Sequence, residues 1–221
     1  MTTTLPDFLR QLAANNNRPW FADHKGLYEE LRGRWIGDID RLLAYASEWD
    51  ASLGRLSGKE CVYRIYRDTR FSPDKTPYKT YFSAGMSCRG RSNAAAGYYL
   101  QADIRPGQSG VYGGLWCPDS GMLRKMRHAI VDNIEEFESI LADSELSRLY
   151  PGWCGNSLKT IPKGWAKDHP QAGLLRLLDY GKVHAVDIDF FCDSAWPERC
   201  ADIMRPLKPL VDFINYSLYE E

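Results

Sequence analysis

Apolar residues recur with helical spacing at both ends of the chain and alternate with polar ones through its middle. Phe8, Leu9 and Leu12 fall on one face of a short amphipathic helix that stops at the polar run Asn15-Asn16-Asn17. Asn17 is placed to cap a longer helix with Pro19 near its first turn. The apolar stripe of that helix runs through Trp20, Phe21, Leu27, Leu31, Trp35, Ile39, Leu42 and Leu43, although Gly33 and Gly37 argue against one unbroken rod. Four strands are predicted next, at residues 61–67, 79–87, 97–105 and 110–117. Several of their connections are too short for parallel crossovers, so the pairing reads as an antiparallel meander. Gln101 shares a face with Tyr99 and Asp103, and Tyr112 shares one with Gly114 and Trp116. A glycine among aromatics marks either close approach of a ligand or a bulge.

Beyond Pro118 a helix carries Leu123, Met126, Ile130 and Ile134 as its buried stripe, and a second is predicted over 135–149. A short helix over 172–179, a strand over 183–191 and a closing helix over 197–219, interrupted at Pro206 and Pro209, complete the pattern. The expected fold is α+β, a curved and mostly antiparallel sheet flanked by helices. One domain over 1–221 is the natural reading for 221 residues.

Composition narrows the class without naming an activity. With 44% hydrophobic and 26% charged residues, the chain is neither disordered nor a coiled coil. It has no apolar run of membrane-spanning length and no signal-peptide pattern near Met1, which predicts a cytoplasmic protein. Six scattered cysteines and four dispersed histidines form no metal-ligand spacing, so reduced and mostly buried thiols are expected and no cofactor is called for. Asp187 and Asp189 would share one face of the 183–191 strand, there to bind a metal or to pair with arginines. Walker A, dinucleotide, nucleophile-elbow and H-E-x-x-H sequences do not occur.

Charge is concentrated where the strands begin. The formal net charge is −1, yet residues 64–91 hold Arg64, Arg67, Arg70, Lys75, Lys79, Arg89 and Arg91 against Asp68 and Asp74 alone. Such a patch on a near-neutral protein attracts an anion locally. The loop signals Ser72-Pro73-Asp74 and Thr76-Pro77 would bend the chain so that Arg67, Arg70 and Lys75 gather round one point. Asp68, flanked by arginines, is suited to orienting one of them. Tyr78 supplies either a hydroxyl or a packing ring, and Gln101 a polar neighbour. Arg127 joins the candidates because positive charge near a helix start opposes the helix dipole while the free N–H groups there favour an anion.

The run Arg64-x-x-Arg67-Asp68-x-Arg70-Phe71-x-x-x-Lys75-x-Pro77-Tyr78-Lys79 resembles the signature of the DUF2461 family of conserved proteins of unknown function. Asn15-Asn16-Asn17-Arg18-x-Trp20-Phe21, Gly97-Tyr98-Tyr99-Leu100-Gln101, Leu115-Trp116-x-Pro118 and Leu158-Lys159-x-x-Pro162-Lys163-Gly164 agree with it, so the likeness spans nearly the whole chain. His24 and Pro19 depart from the family pattern, which has Asn at the first position and often an acidic residue at the second. The resemblance implies a shared fold and site without supplying a substrate. Three readings follow. The first is a pocket for a phosphorylated or carboxylated small molecule, built from Arg64, Arg67, Arg70, Lys75 and Lys79 with Asp68, Tyr78, Gln101 and Arg127. The second is a nucleic-acid surface, with basic residues on phosphates and exposed aromatics stacking bases. The third is a buried ion-pair network that ties the sheet to its helices.

Overall fold

In a computed structural model, described for residues 3–91 and 95–219, the chain forms an α+β fold around one four-stranded sheet. The N-terminal helices are α1 (Leu5–Ala14), α2 (Arg18–Asp23), α3 (Lys25–Ala46) and α4 (Gly58–Cys61). The strands β1 (Tyr81–Ser87), β2 (Gly97–Asp103) and β3 (Gly110–Leu115) follow as a meander. Helices α5 (Ser120–Asp132), α6 (Ile134–Leu141), α7 (Ser144–Leu149) and α8 (Ala172–Leu175) precede the edge strand β4 (Tyr180–Ala185). The chain closes with α9 (Trp196–Met204) and α10 (Lys208–Tyr219). Every neighbouring strand pair is antiparallel; the short connections predict this for β1, β2 and β3, while β4 returns beside β3 after four helices. No helix among the described residues is long and apolar enough to cross a membrane.

The periodic stripes become the core. Tyr28, Leu31, Trp35, Ile39, Leu42 and Leu43 of α3 are buried, while Gly33 and Gly37 face open space and leave the helix unbroken. The break falls earlier, at His24. Asn17 caps α2 by accepting from the Trp20 N–H at 3.0 Å, and His24 stacks on Trp20 at 3.9 Å. Helix α3 is joined to α9 by Trp35, which stacks on Trp196 at 5.0 Å between ring centroids. Helices α9 and α10 in turn pack against β3, where a Cβ on Gly113 would meet Leu207 at 2.5 Å.

One predicted strand is not a strand, and another is displaced. Residues 61–67 begin in α4, because Ser57 and Glu60 form a capping box and the Gly58 N–H donates to Asp40 Oδ1 at 2.6 Å. The segment touches the sheet through a single bridge, Val62 to Ala84, and then folds back on itself. Arg67 N–H donates to Pro77 O at 2.9 Å and Lys79 N–H to Ile65 O at 2.8 Å, round a Tyr66–Tyr78 bridge. Pro73 and Pro77 have no N–H, so this ribbon cannot grow into a ladder. The strand over 183–191 instead runs from Tyr180 to Ala185, and Asp187 leads into a 3₁₀ turn at Ile188–Cys192. Asp187 and Asp189 therefore share no strand face, and the motif arginines pair elsewhere. The six cysteines are free, but Cys88, Cys117 and Cys192 are exposed, so the thiols are not mostly buried. Residues 92–94 of the Gly-, Ser- and Ala-rich connection before β2 lie outside the described residues.

Gly114 is the glycine that the backbone itself demands. Its φ is +122°, and a Cβ there would stand 2.1 Å from the Tyr180 carbonyl oxygen. Gly114→Ala is expected to cost about 1–3 kcal/mol, read as a lower urea midpoint with an unchanged slope.

Candidate functional site

Alternation along β1, β2 and β3 turns Phe82, Ala84, Tyr98, Leu100, Val111 and Leu115 toward the helices. The opposite face is built by register. Ser87, Gly97, Gly114 and Gly181 stand side by side across the sheet, and Gly85, Tyr99, Tyr112 and Val183 form the next row. Small residues in the first row and rings in the second leave a cleft of about 430 Å³. A ring seated over a glycine closes each end. Tyr63 lies 2.9 Å from where a Gly85 Cβ would be, and Trp116 lies 2.3 Å from the same point on Gly181. The rings meet edge to face in series: Tyr63 to Tyr99 at 6.0 Å, Tyr99 to Tyr112 at 5.6 Å and Tyr112 to Trp116 at 6.1 Å.

A hydrogen-bond chain fixes one wall. The Tyr99 hydroxyl donates to Gln101 Oε1 at 2.8 Å, and Gln101 Nε2 donates to Gln108 O at 3.1 Å and Asp103 Oδ2 at 3.3 Å. Asp103 is buried and clamped by the Arg105 guanidinium, whose Nε lies 3.0 Å from Oδ1. Gln101 thus lines the cleft with its amide already committed, and it positions Tyr99 more than it offers bonds of its own. Burial pushes the Tyr63, Tyr99 and Tyr112 hydroxyls above their ordinary range, so all three are neutral donors or acceptors near neutral pH.

The charged motif divides in two. Arg67 donates to Asp74 at 2.5 Å and to Thr76 O at 3.1 Å, Arg70 holds Asp68 through Nε at 3.0 Å and Nη2 at 2.7 Å, and Lys75 donates to Thr69 O at 2.9 Å. Each of these three cations holds a different acceptor within its own loop. Asp68 is held below the ordinary carboxylate range mainly by its hydrogen bond from Arg70. Asp74 is pushed down to about 2, first by the Thr76 N–H and hydroxyl and then by Arg67. The pairs are solvent-exposed and local, unlike the buried network of the third reading.

Arg64 and Lys79 behave differently. Neither has an acceptor or an acidic partner within ion-pair distance among the described residues. Burial, and then the adjacent Arg64 charge, lower the Lys79 ammonium below its ordinary value. Its Nζ sits 5.5 Å from the Tyr63 ring centroid, and Arg91 Cζ lies 5.5 Å from the same ring while one Nη donates to Val62 O at 2.9 Å. Lys79 and Arg91 therefore flank the Tyr63 ring at one end of the cleft; Arg91 lines the cleft, whereas Arg64 and Lys79 lie outside its lining. Tyr78 is buried and stacks on Phe21 at 4.0 Å, its backbone held by the Asn16 side chain. Arg127 lies away from the cleft lining, where Nη2 donates to Leu177 O at 3.1 Å and the buried Nε has no partner among the described residues. No group of three or more His, Cys, Asp or Glu among the described residues is placed to hold a metal ion.

The family model described as a conserved hypothetical protein (DUF2461) matches residues 4–213. The chain belongs to the DUF2461 family. No curated protein and no solved structure matches it. Sequence reasoning about this DUF2461 chain missed Tyr63, Arg91, Trp116 and the glycine row as parts of one site. The available signal was the shared face of Tyr99 with Gln101 and of Tyr112 with Gly114 and Trp116, once the strands are set in register.

The loop pairs set an expectation. Asp74 has its pKa lowered on folding, so the order it supports is complete above the ordinary carboxylate value of 3.8 and is lost as the pH falls toward about 2. The Thr76 amide resonance is expected to titrate with a midpoint near that lower value. In Asp74→Ala the Thr76 amide should exchange faster with solvent at neutral pH, while the melting temperature stays close to that of the wild type.

Proposed function

We propose that this protein binds an anionic small molecule bearing a ring, with its phosphate or carboxylate at Arg64, Lys79 and Arg91 and its ring among Tyr63, Tyr99, Tyr112 and Trp116. The observation that carries this reading is the Tyr63 ring at the end of the aromatic cleft, with Lys79 Nζ and Arg91 Cζ each 5.5 Å from its centroid and Arg64 beside Lys79. Holding like charges together in a partly desolvated place costs free energy, and an anion between them reverses the sign of that term. A flat ring suits the other end, because aromatic edges and faces offer contact area with little polarity. The site differs from a pocket of converging arginines, since Arg67, Arg70 and Lys75 spend their donors inside the loop. Whether chemistry follows binding does not enter this reading.

A thermal-shift series with inorganic phosphate, a sugar phosphate, a nucleoside monophosphate and benzoate tests it. At least one ring-bearing anion should raise the wild-type melting temperature beyond phosphate alone. A ligand at about one hundred times its Kd adds about 2.7 kcal/mol of apparent stability, which the method resolves. Lys79→Met, which keeps a stem for the Tyr63 ring, and Tyr112→Ala should remove the shift, whereas Arg70→Ala should keep it. A uniform lack of response in the wild type, or loss of response in Arg70→Ala with retention in Lys79→Met, would overturn the proposal.

A further inference from the structure

Phe71 lies at the tip of the motif loop with 94% of its surface exposed, and Tyr66 on the same arm is 44% exposed. A fully solvated phenylalanine usually folds back on its neighbours, but this loop is pinned from within by Arg67, Asp68, Arg70, Asp74 and Lys75, which hold the ring out. The Arg70 guanidinium sits 5.8 Å from the Phe71 centroid. From the tip the arm runs back continuously: Tyr66 bridges Tyr78, Lys79 follows Tyr78, and Lys79 abuts the Tyr63 ring that closes the cleft. Rings and cations thus succeed one another along the arm, with Arg64, Lys75 and Lys79 in no ion pair among the described residues.

We infer that this strip is a track for single-stranded nucleic acid, with one nucleotide in the cleft and its neighbours running over Tyr66 to Phe71. The inference rests on the cleft as a site for a ring and an anion, and it extends that site to a polymer of such units. Cations without counter-charges match a phosphate backbone, and exposed ring faces match bases that are not already paired. A double helix hides its base faces and offers nothing to Phe71. An anionic membrane would accept the protruding ring and its cations but would leave the recessed rings Tyr99 and Tyr112 without a role.

The test is fluorescence anisotropy on a labelled oligothymidylate of about 15 nucleotides, long enough for one such site, against a duplex of equal length. Nucleoside monophosphate competition and co-sedimentation with phosphatidylserine-containing vesicles complete it. The single strand should bind more tightly than either the duplex or the monophosphate, with affinity falling steeply as salt rises. Phe71→Ala, which removes an exposed side chain and folds normally, should weaken the oligonucleotide about tenfold, the loss of one base stack, and leave the monophosphate unchanged. If the monophosphate or another ring-bearing anion binds and the single strand gains nothing over it, or Phe71→Ala has no effect, the track is overturned while the cleft stands. If no ring-bearing anion binds at all, both readings fall. Vesicle binding that depends on Phe71, without oligonucleotide binding, would assign the loop to a lipid surface instead and overturn the track.

Discussion

The cleft depends on the way one sheet is covered. Helices α9 and α10 pack against one face of the four-stranded sheet through β3, and Tyr28 and Trp35 of α3 meet Phe82 of β1. An antiparallel sheet tolerates a second face that meets water, and here that face is finished by aromatic rings without a full second layer. The rings need somewhere to lie. Gly85 and Gly181 provide it under Tyr63 and Trp116, and the row Gly97, Gly114, Gly181 keeps the floor low between them. The glycines that weaken a strand by propensity are what make the cavity here.

The same arrangement explains how much could be read from residues alone. Helix stripes such as Leu31, Trp35 and Ile39, and alternation such as Tyr98, Leu100 and Ala102, carry the architecture, because burial on one face imposes a period that survives in the sequence. The segment 61–67 misled because β-branched and aromatic residues raise strand propensity whether their partner is a sheet or a returning arm. What decided its fate was Pro77 opposite Arg67, and cross-chain pairing leaves no local signature. The misplacement of the last strand has a similar cause: Val186, Ile188 and Phe190 alternate well, but Ile188 and Phe190 pack against the core from a 3₁₀ turn and Val186 from just before it.

Site legibility followed the same division. The charged motif marks the right region, yet counting cations does not distinguish those that bind each other's loop from those that remain unsatisfied. Arg70 and Asp68 are two residues apart, close enough to pair from almost any local conformation, and Asp74 reaches Arg67 once the Ser72-Pro73 turn forms. Arg64 and Lys79 make no ion pair among the described residues, although Asp68 and Asp74 lie only four and five positions away. They meet because the arm doubles back at Tyr66 and Tyr78, a long-range event invisible to spacing arguments.

This division gives the motif two physical tasks that share one stretch of chain. Arg67, Asp68, Arg70 and Asp74 supply local order, which offsets part of the conformational entropy that the loop gives up on folding. Arg64 and Lys79 form no ion pair among the described residues, and Arg64 acts on Asp68 only from a distance. An arm with every cation paired would be rigid but inert toward anions, and one with none paired would be attractive but disordered. The acidic residues at 68 and 74 therefore matter as much as the basic ones. They occupy Arg67 and Arg70 within the loop, while Arg64 and Lys79 make no ion pair among the described residues.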